Sequence, residues 1–263
     1  MNPLVKIYFK AYPWLTKLPI RTGLIPGLAL GFFDRKDFHA LDELNAGRTG
    51  KWSSASHNMR GLLPWESKAI ESWFPSEGKL LITAAGGGRE VLALESMGYK
   101  LEAFECNPRL VEAANEHLAN RAFRSRVEVC SRDTAPHLNG LFDGVIVGWG
   151  SYTLVMGRDT RIEFLQTLAQ KMHEGAPILI SYFKLENPRR LADRTQHKIA
   201  SWIRKMRCAA PLEANDIMDW NLRHRFDDAE IKSELVAAGF EWAYMSDDGY
   251  PHAVGIRRSS SND

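Results

Sequence analysis

A chain of 263 residues, 44% of them apolar, is long enough to bury a sizeable core, and the length suits one α/β domain with an N-terminal extension and an insertion. The formal charge of +2, from 34 basic and 32 acidic residues, gives no electrostatic case for nucleic acid as a partner. Cys106, Cys130 and Cys208 are an odd set without CxxC spacing, which argues against a disulfide framework or a structural zinc site and points to a reducing cytoplasm.

No apolar run approaches the roughly 18 residues of a membrane span. No signal-peptide core with a small-residue cleavage site opens the sequence, so the mature protein is expected to begin near Met1. From Met1 to Phe33 there are basic residues, Lys6, Lys10, Lys17 and Arg21, and no acid, among Tyr8, Phe9, Tyr12, Trp14, Leu28 and Phe32. Pro3, Pro13, Pro19 and Pro26 prevent one long amphipathic helix. The segment is expected to be a packed arm or cap, with a membrane-surface or dimer contact through residues 1–33 as the alternatives.

Asp34 to Gly50 is charged and expected to be partly helical, followed by the polar turn Thr49-Gly50-Lys51. Arg60 is read as a solvated arginine, the alternative being a partner for a bound carboxylate. Trp65 to Trp73 reads as a helix behind Pro64, so residues 1–75 form a helical arm or cap before the main domain, 76–258.

Leu80 to Thr83 is an apolar run fit for a buried parallel strand, Gly86, Gly87 and Gly88 make a turn without side chains, and Glu90 to Met97 reads as a helix. A second strand, Leu101 to Phe104, ends at Glu105. An acid at that edge can accept hydrogen bonds from ribose hydroxyls, while the glycines admit a nucleotide-like ligand to the backbone near a helix N-terminus. A dinucleotide fingerprint needs GxGxxG, and here valine (Val91) stands where its last glycine belongs.

Pro108 opens a helix to about Leu118, and Val127 to Cys130 is a third strand ending at Ser131-Arg132-Asp133-Thr134. Phe142 to Gly150 is read as holding a fourth strand, with Asp143 near its start and Gly148 and Gly150 at its end. Thr160 to His173 is a helix, and Ile178 to Phe183 a fifth strand. Residues 185–223 interrupt the pattern as a cap insertion whose basic residues, among them Arg189, Arg190, Arg204 and Arg207, make either a solvated face or an anion-recognising one. Asp227 is a candidate N-cap for a helix over Ala229 to Ala238, closed by Gly239. Phe240 to Met245 and His252 to Ile256 pair as a hairpin, and 259–263 is a polar tail.

The GGGRE turn, with Glu105, Asp133 and Gly148 in this order, resembles class I S-adenosylmethionine-dependent methyltransferases. The resemblance implies a Rossmann-like, mostly parallel seven-stranded sheet with helices on both faces and an antiparallel C-terminal hairpin. It implies S-adenosyl-L-methionine as cofactor, held by Ala84, Gly86, Gly88, Glu105 on the ribose, Cys106, Asp133 and Thr134 at the adenine, and Gly148 beside the transferable methyl. The ordinary reading of Asp133 is an N-cap for a short turn over Ala135 to Leu138.

In this alignment Ala84 replaces the usual first glycine, which an alanine tolerates if its dihedrals are ordinary, and Ile82 stands where an acid is frequent. Trp149, Ser151 and Tyr152 are expected at the rim, with Tyr152 the first candidate for orienting the substrate or handling a proton; His137 and His224 are further candidate bases. The expected acceptor is a small or lipid-like molecule. A non-catalytic S-adenosylmethionine-binding protein and a nicotinamide-dependent oxidoreductase are the alternatives. Neither metal spacing nor a GxSxG elbow is present.

Overall fold

The N-terminal segment holds two helices, α1 (Pro3–Leu15), with Pro13 inside it, and α2 (Leu24–Phe32), before α3 (Arg35–Arg48). The structure, a computed structural model, describes residues 1–15, 23–48, 50–138, 140–185 and 191–259. Lys17, Pro19, Arg21, Thr49, Arg189, Arg190 and 260–263 of the polar tail lie outside the described residues. Along the chain follow α4 (Ala55–Asn58), α5 (Pro64–Trp73), β1 (Lys79–Thr83), α6 (Arg89–Ser96), β2 (Lys100–Glu105), α7 (Pro108–Asn120), β3 (Val127–Val129) and β4 (Gly144–Val147). After them come α8 (Arg158–Ala169), β5 (Pro177–Ser181), α9 (Leu191–Met206), β6 (Asp216–Met218), β7 (Leu222–His224), α10 (Asp228–Ala237), β8 (Phe240–Ser246) and β9 (His252–Arg257).

Two compact units share this chain: residues 1–49 with 184–226, and residues 50–183 with 227–263. In the first, α2 packs on α9. A Cβ on Gly27 would lie 2.9 Å from the Gln196 backbone, and one on Gly31 2.8 Å from the Ile203 side chain. Those glycines therefore permit the helices to approach closely. Arg204 donates to the carbonyls of Leu30 and Phe33 at 3.1 and 3.0 Å, and Arg207 to those of Gly31 and Phe32 at 2.9 and 2.7 Å. These two arginines of the predicted basic face thus satisfy the orphan carbonyls at the end of α2, where a cation also complements the helix dipole.

The first unit also places His224 Nδ1 2.9 Å from Asp216 and 3.0 Å from Glu213. Among the described residues this is a group of three metal-type side chains whose ligand atoms lie within 4.8 Å of one another, on a spacing that sequence reading passes over. It braces the short β6–β7 hairpin, which pairs Asp216 with His224. His224 is therefore held between carboxylates. Among the described residues no helix is long and apolar enough to cross a membrane.

The second unit is a seven-stranded sheet in the order β3-β2-β1-β4-β5-β9-β8. Strands β1 to β5 pair in parallel, and β9 runs antiparallel to both β5 and β8. Within the C-terminal hairpin only β9 is reversed relative to the parallel strands. The near-continuous apolar runs of β1, β4 and β5 follow from burial on both sheet faces: Leu80, Ile82, Val145, Ile178 and Ile180 have essentially no exposure. Asp143, just before β4, accepts the Lys79 N–H at 2.8 Å, fixing the start of β1 at the end of the sheet opposite the glycine turn.

Order 3-2-1-4 around β1 makes the chain reverse direction between β1 and β4, and the carboxyl ends at that switch point are where open α/β sheets bind ligands. Both Ala84 to Gly88 and Gly148 to Gly150 are there.

Candidate functional site

The turn after β1 is built from left-handed backbone: φ is 53° at Ala84, 56° at Gly86 and 91° at Gly88. Ala84 is thus not in the ordinary conformation expected of an alanine replacing glycine; it occupies the region where a Cβ is strained. Gly88 is the N-cap of α6, so the turn leads directly onto a helix N-terminus.

Glu105 organises the turn from the edge of β2. Its Oε2 accepts the Gly86 N–H at 2.9 Å, and its Oε1 accepts the Asn107 N–H at 2.8 Å. Cys106 donates its Sγ–H to the same Oε1 at 3.3 Å. A carboxylate has about four acceptor positions, so the buried Glu105 can anchor this backbone and still accept from a ligand hydroxyl.

A cavity of about 60 Å³ adjoins the turn, lined by Trp52, His57, Asn58, Ala84 to Gly87, Arg89, Glu90 and Trp149. Its roof is the segment ending in α4. A Cβ on Gly87 would meet the Trp52 carbonyl at 2.1 Å and the Asn58 amide nitrogen at 2.5 Å, so glycine is required there by the protein's own backbone. Asn58 holds the roof together, donating to the carbonyls of Trp52 and Ser54 at 3.0 and 2.9 Å, and His117 Nε2 lies 3.0 Å from the Ser53 carbonyl. The Trp52 ring meets His57 and Trp149 edge-on, with centroids 5.0 and 5.8 Å apart.

Two buried charged side chains, Arg89 and Glu90, line the cavity, and a third, Glu66, pairs with Arg89. Arg89 donates to Glu66 through two nitrogens at 2.5 and 2.6 Å, to Glu90 at 2.6 Å and to the Gly61 carbonyl at 3.0 Å. Glu66 also accepts the Leu63 N–H at 2.7 Å, closing the first turn of α5. Burial pushes the Glu90 carboxyl above its ordinary range; Arg89 opposes that rise and the charge of Glu66 adds to it. His57 is lowered to about 4 by burial, then by Arg89, Lys51 and Arg60, and is therefore neutral near pH 7.

No family model matches the sequence, and no curated protein matches it. Among solved structures the chain is similar to a SAM-dependent methyltransferase from Methanosarcina mazei, with a TM-score of 0.59 at 16% identity over 75% of this chain and 99% of that one. It is also similar to SAM-bound CalS10, an amino pentose methyltransferase from Micromonospora echinaspora, with a TM-score of 0.53 at 14% identity over 86% and 98% of the two chains. The sugar N-methyltransferase KedS8 from a Streptoalloteichus species gives 0.54 at 16% identity over 83% and 92%. The fold is that of the class I S-adenosylmethionine-dependent methyltransferases.

Within this methyltransferase fold, Ala84, Gly86, Gly88, Glu105, Cys106 and Gly148 gather at the carboxyl edge of β1, β2 and β4. Asp133 and Thr134 follow the edge strand β3; Asp133 is half-buried with φ 57°, and Thr134 is exposed, its hydroxyl 3.4 Å from the Ser131 carbonyl. No helix follows them over Ala135 to Leu138, which removes the N-cap reading of Asp133.

Gly148 has a different reason from the one expected. A Cβ there would lie 2.1 Å from the Ala84 carbonyl oxygen and 3.1 Å from that of Thr83, so it makes room for the backbone of the neighbouring turn rather than for a ligand methyl. Gly148→Ala is expected to force β1 and β4 apart and to cost about 1–3 kcal/mol, the range for overpacking; the midpoint of urea unfolding checks it.

Tyr152 is not at a rim. It is fully buried in the 3-10 turn after β4, its hydroxyl donating to Glu234 at 2.6 Å, and Glu234 is bound by the equally buried Arg161 at 2.7 Å. Burial, then the Glu234 charge, raises the phenol well above its ordinary value, so Tyr152 neither exchanges a proton near neutral pH nor reaches a substrate. Ser151 donates to the Gly148 carbonyl at 2.7 Å, and His137 is exposed in irregular backbone. Of the expected rim residues, Trp149 lines the cavity.

Sequence reading missed Trp52, His57, Asn58, Glu66, Arg89 and Glu90. The available signal was adjacent charges, Arg89-Glu90, on the first turn of a helix whose next residues are apolar and core-facing.

Proposed function

We infer that the second unit is an S-adenosylmethionine-dependent methyltransferase acting on a small or lipid-like acceptor. The observation that carries this reading is Glu105 at the carboxyl edge of β2, bonded to Gly86 within a left-handed turn that opens onto the N-terminus of α6. An acid and a backbone-only surface meeting at a switch point suit a ribose and the chain beyond it.

When bound, the cofactor supplies an electrophilic methyl on a sulfonium. Glu105 would hold the ribose hydroxyls, Asp133 and Thr134 the adenine, and the backbone of Ala84, Gly86 and Gly88 the remainder. Trp149 and Trp52 would exclude water above the turn. Methyl transfer gains chiefly from orienting the nucleophile, and His57, neutral near pH 7, lines the cavity as a polar group. Leu4, Ile7, Trp14, Leu28, Phe32 and Trp202 are exposed on the first unit, an apolar surface suited to a lipid-like molecule.

The cavity of about 60 Å³ is well below the roughly 300–1,000 Å³ of small-molecule sites. A cofactor therefore requires the Trp52–Asn58 roof to move outward. Ala84, left-handed at φ 53° where the motif usually has glycine, favours the second reading, a non-catalytic S-adenosylmethionine-binding protein. Calorimetric titration with S-adenosylmethionine and S-adenosylhomocysteine, with NADH for comparison, is expected to give binding of the adenosyl pair only. Binding of NADH alone reverses the assignment, and adenosyl binding without turnover in an acceptor screen favours the non-catalytic reading.

A further inference from the structure

Glu90 is a buried acid whose side-chain counter-charge among the described residues, Arg89, is shared unequally. Arg89 directs two contacts to Glu66, at 2.5 and 2.6 Å, and one to Glu90, at 2.6 Å. All three residues are at most 6% exposed. Two carboxyl groups against one guanidinium leave an excess of one negative charge when both are ionised, and a buried charge without a full partner is costly.

That excess lies on the cavity wall. Glu90 lines the cavity beside Gly86 and Gly87, and the same space is bordered by the rings of Trp52 and Trp149. Aromatic walls around a buried carboxylate attract a cation. Lys51 and Arg60 are exposed, and His57 is neutral near pH 7, so no described buried cation other than Arg89 lines the cavity. Arg89 is the side-chain donor to the Glu90 carboxylate, at 2.6 Å, which leaves acceptor positions open among its roughly four. Meanwhile β1 closes with Ile82 and Thr83, both buried and neither acidic: the strand end offers no acid for the task.

We propose that Glu90 is the acceptor for the α-ammonium group of the cofactor's amino acid part, completing the charge balance of the Arg89–Glu66–Glu90 cluster. This rests on the methyltransferase reading. Glu90 is a positioning residue for the cofactor, and the ammonium takes the acceptor site that Arg89 leaves open. The first helical turn of α6 then supplies the acidic contact that β1 lacks.

The test compares S-adenosylhomocysteine with 5′-methylthioadenosine, which keeps the nucleoside and lacks the amino acid, by calorimetry on the unaltered chain and on Glu90→Gln. The substitution is expected to weaken S-adenosylhomocysteine about 10- to 100-fold, the range for a hydrogen bond to a charged group, and to leave 5′-methylthioadenosine unchanged. An equal loss for both ligands makes Glu90 merely structural and overturns the assignment, as does no loss for either. Should the variant not fold, the deaminated analogue of S-adenosylhomocysteine on the unaltered chain decides: at least tenfold weaker binding supports the assignment, and equal binding overturns it. Failure of the unaltered chain to bind any adenosyl ligand refutes the methyltransferase reading itself, and the assignment with it.

Discussion

Replacing Glu234 with alanine is expected to destabilise the protein by about 3–5 kcal/mol, the cost of stranding one partner of a buried ion pair. Arg161 and Glu234 have no exposure at all and meet at 2.7 Å, with a second contact from Nε at 3.1 Å, while Tyr152 bonds the same carboxylate at 2.6 Å. Removing the acid leaves the guanidinium with the longer 3.5 Å contact to Glu230 in place of its short one and takes the Glu234 acceptor from the phenol. For a chain of this size such a loss corresponds to a fall in Tm of roughly 10 °C.

Tyr152→Phe is the informative companion. It removes one hydrogen bond and leaves the ion pair, so it is expected to cost about 1.5–3 kcal/mol while methyl transfer by the folded fraction is retained. A loss of turnover in a fully folded Tyr152→Phe protein would restore the catalytic role that burial denies it. Thermal unfolding alongside an activity assay separates the two.

Replacing Glu105 with alanine is expected to have the largest effect on ligand binding. Two backbone donors, Gly86 N–H and Asn107 N–H, lose their acceptor, and a ribose loses its partner. An unsatisfied buried donor costs about 1–3 kcal/mol, so S-adenosylhomocysteine affinity should fall about a hundredfold or more. Part of this fall comes from a relaxed glycine turn. Adenosine and 2′,3′-dideoxyadenosine distinguish that part: the unaltered chain is expected to prefer adenosine at least tenfold, and Glu105→Ala to treat the two alike. A preference that survives the substitution would remove Glu105 from the ribose.

Much of the second unit was legible in the residues. The apolar runs at β1, β4 and β5 are continuous because those strands are buried on both faces, and the helix after Pro108 declares itself by Pro108 at N1 behind an Asn107 cap that accepts the Arg109 N–H at 3.0 Å. Asp227 caps α10 as its position foretold, accepting the Glu230 N–H at 2.8 Å. Such signals are local, since each depends on side chains within a few residues of the backbone they satisfy. Glu105 was legible for a related reason, because the end of a strand after a glycine turn has one place in this topology.

The tertiary structure alone decided what the long-range neighbours impose. Nothing near Ala84 announces a left-handed backbone. Gly148 shows its reason only when the Ala84 carbonyl arrives beside it, and Tyr152 is withdrawn from chemistry by Glu234, 82 residues away. The gathering of residues 1–49 with 184–226, and the roof of Trp52 and Asn58 over Gly87, belong to the same class. Local sequence determines strands, caps and turns because hydrogen bonds and periodicity act over a few residues. Burial, charge pairing and cavity walls are set by groups distant along the chain, so the electrostatics of Arg89, Glu66 and Glu90 became readable only once the fold had placed them together.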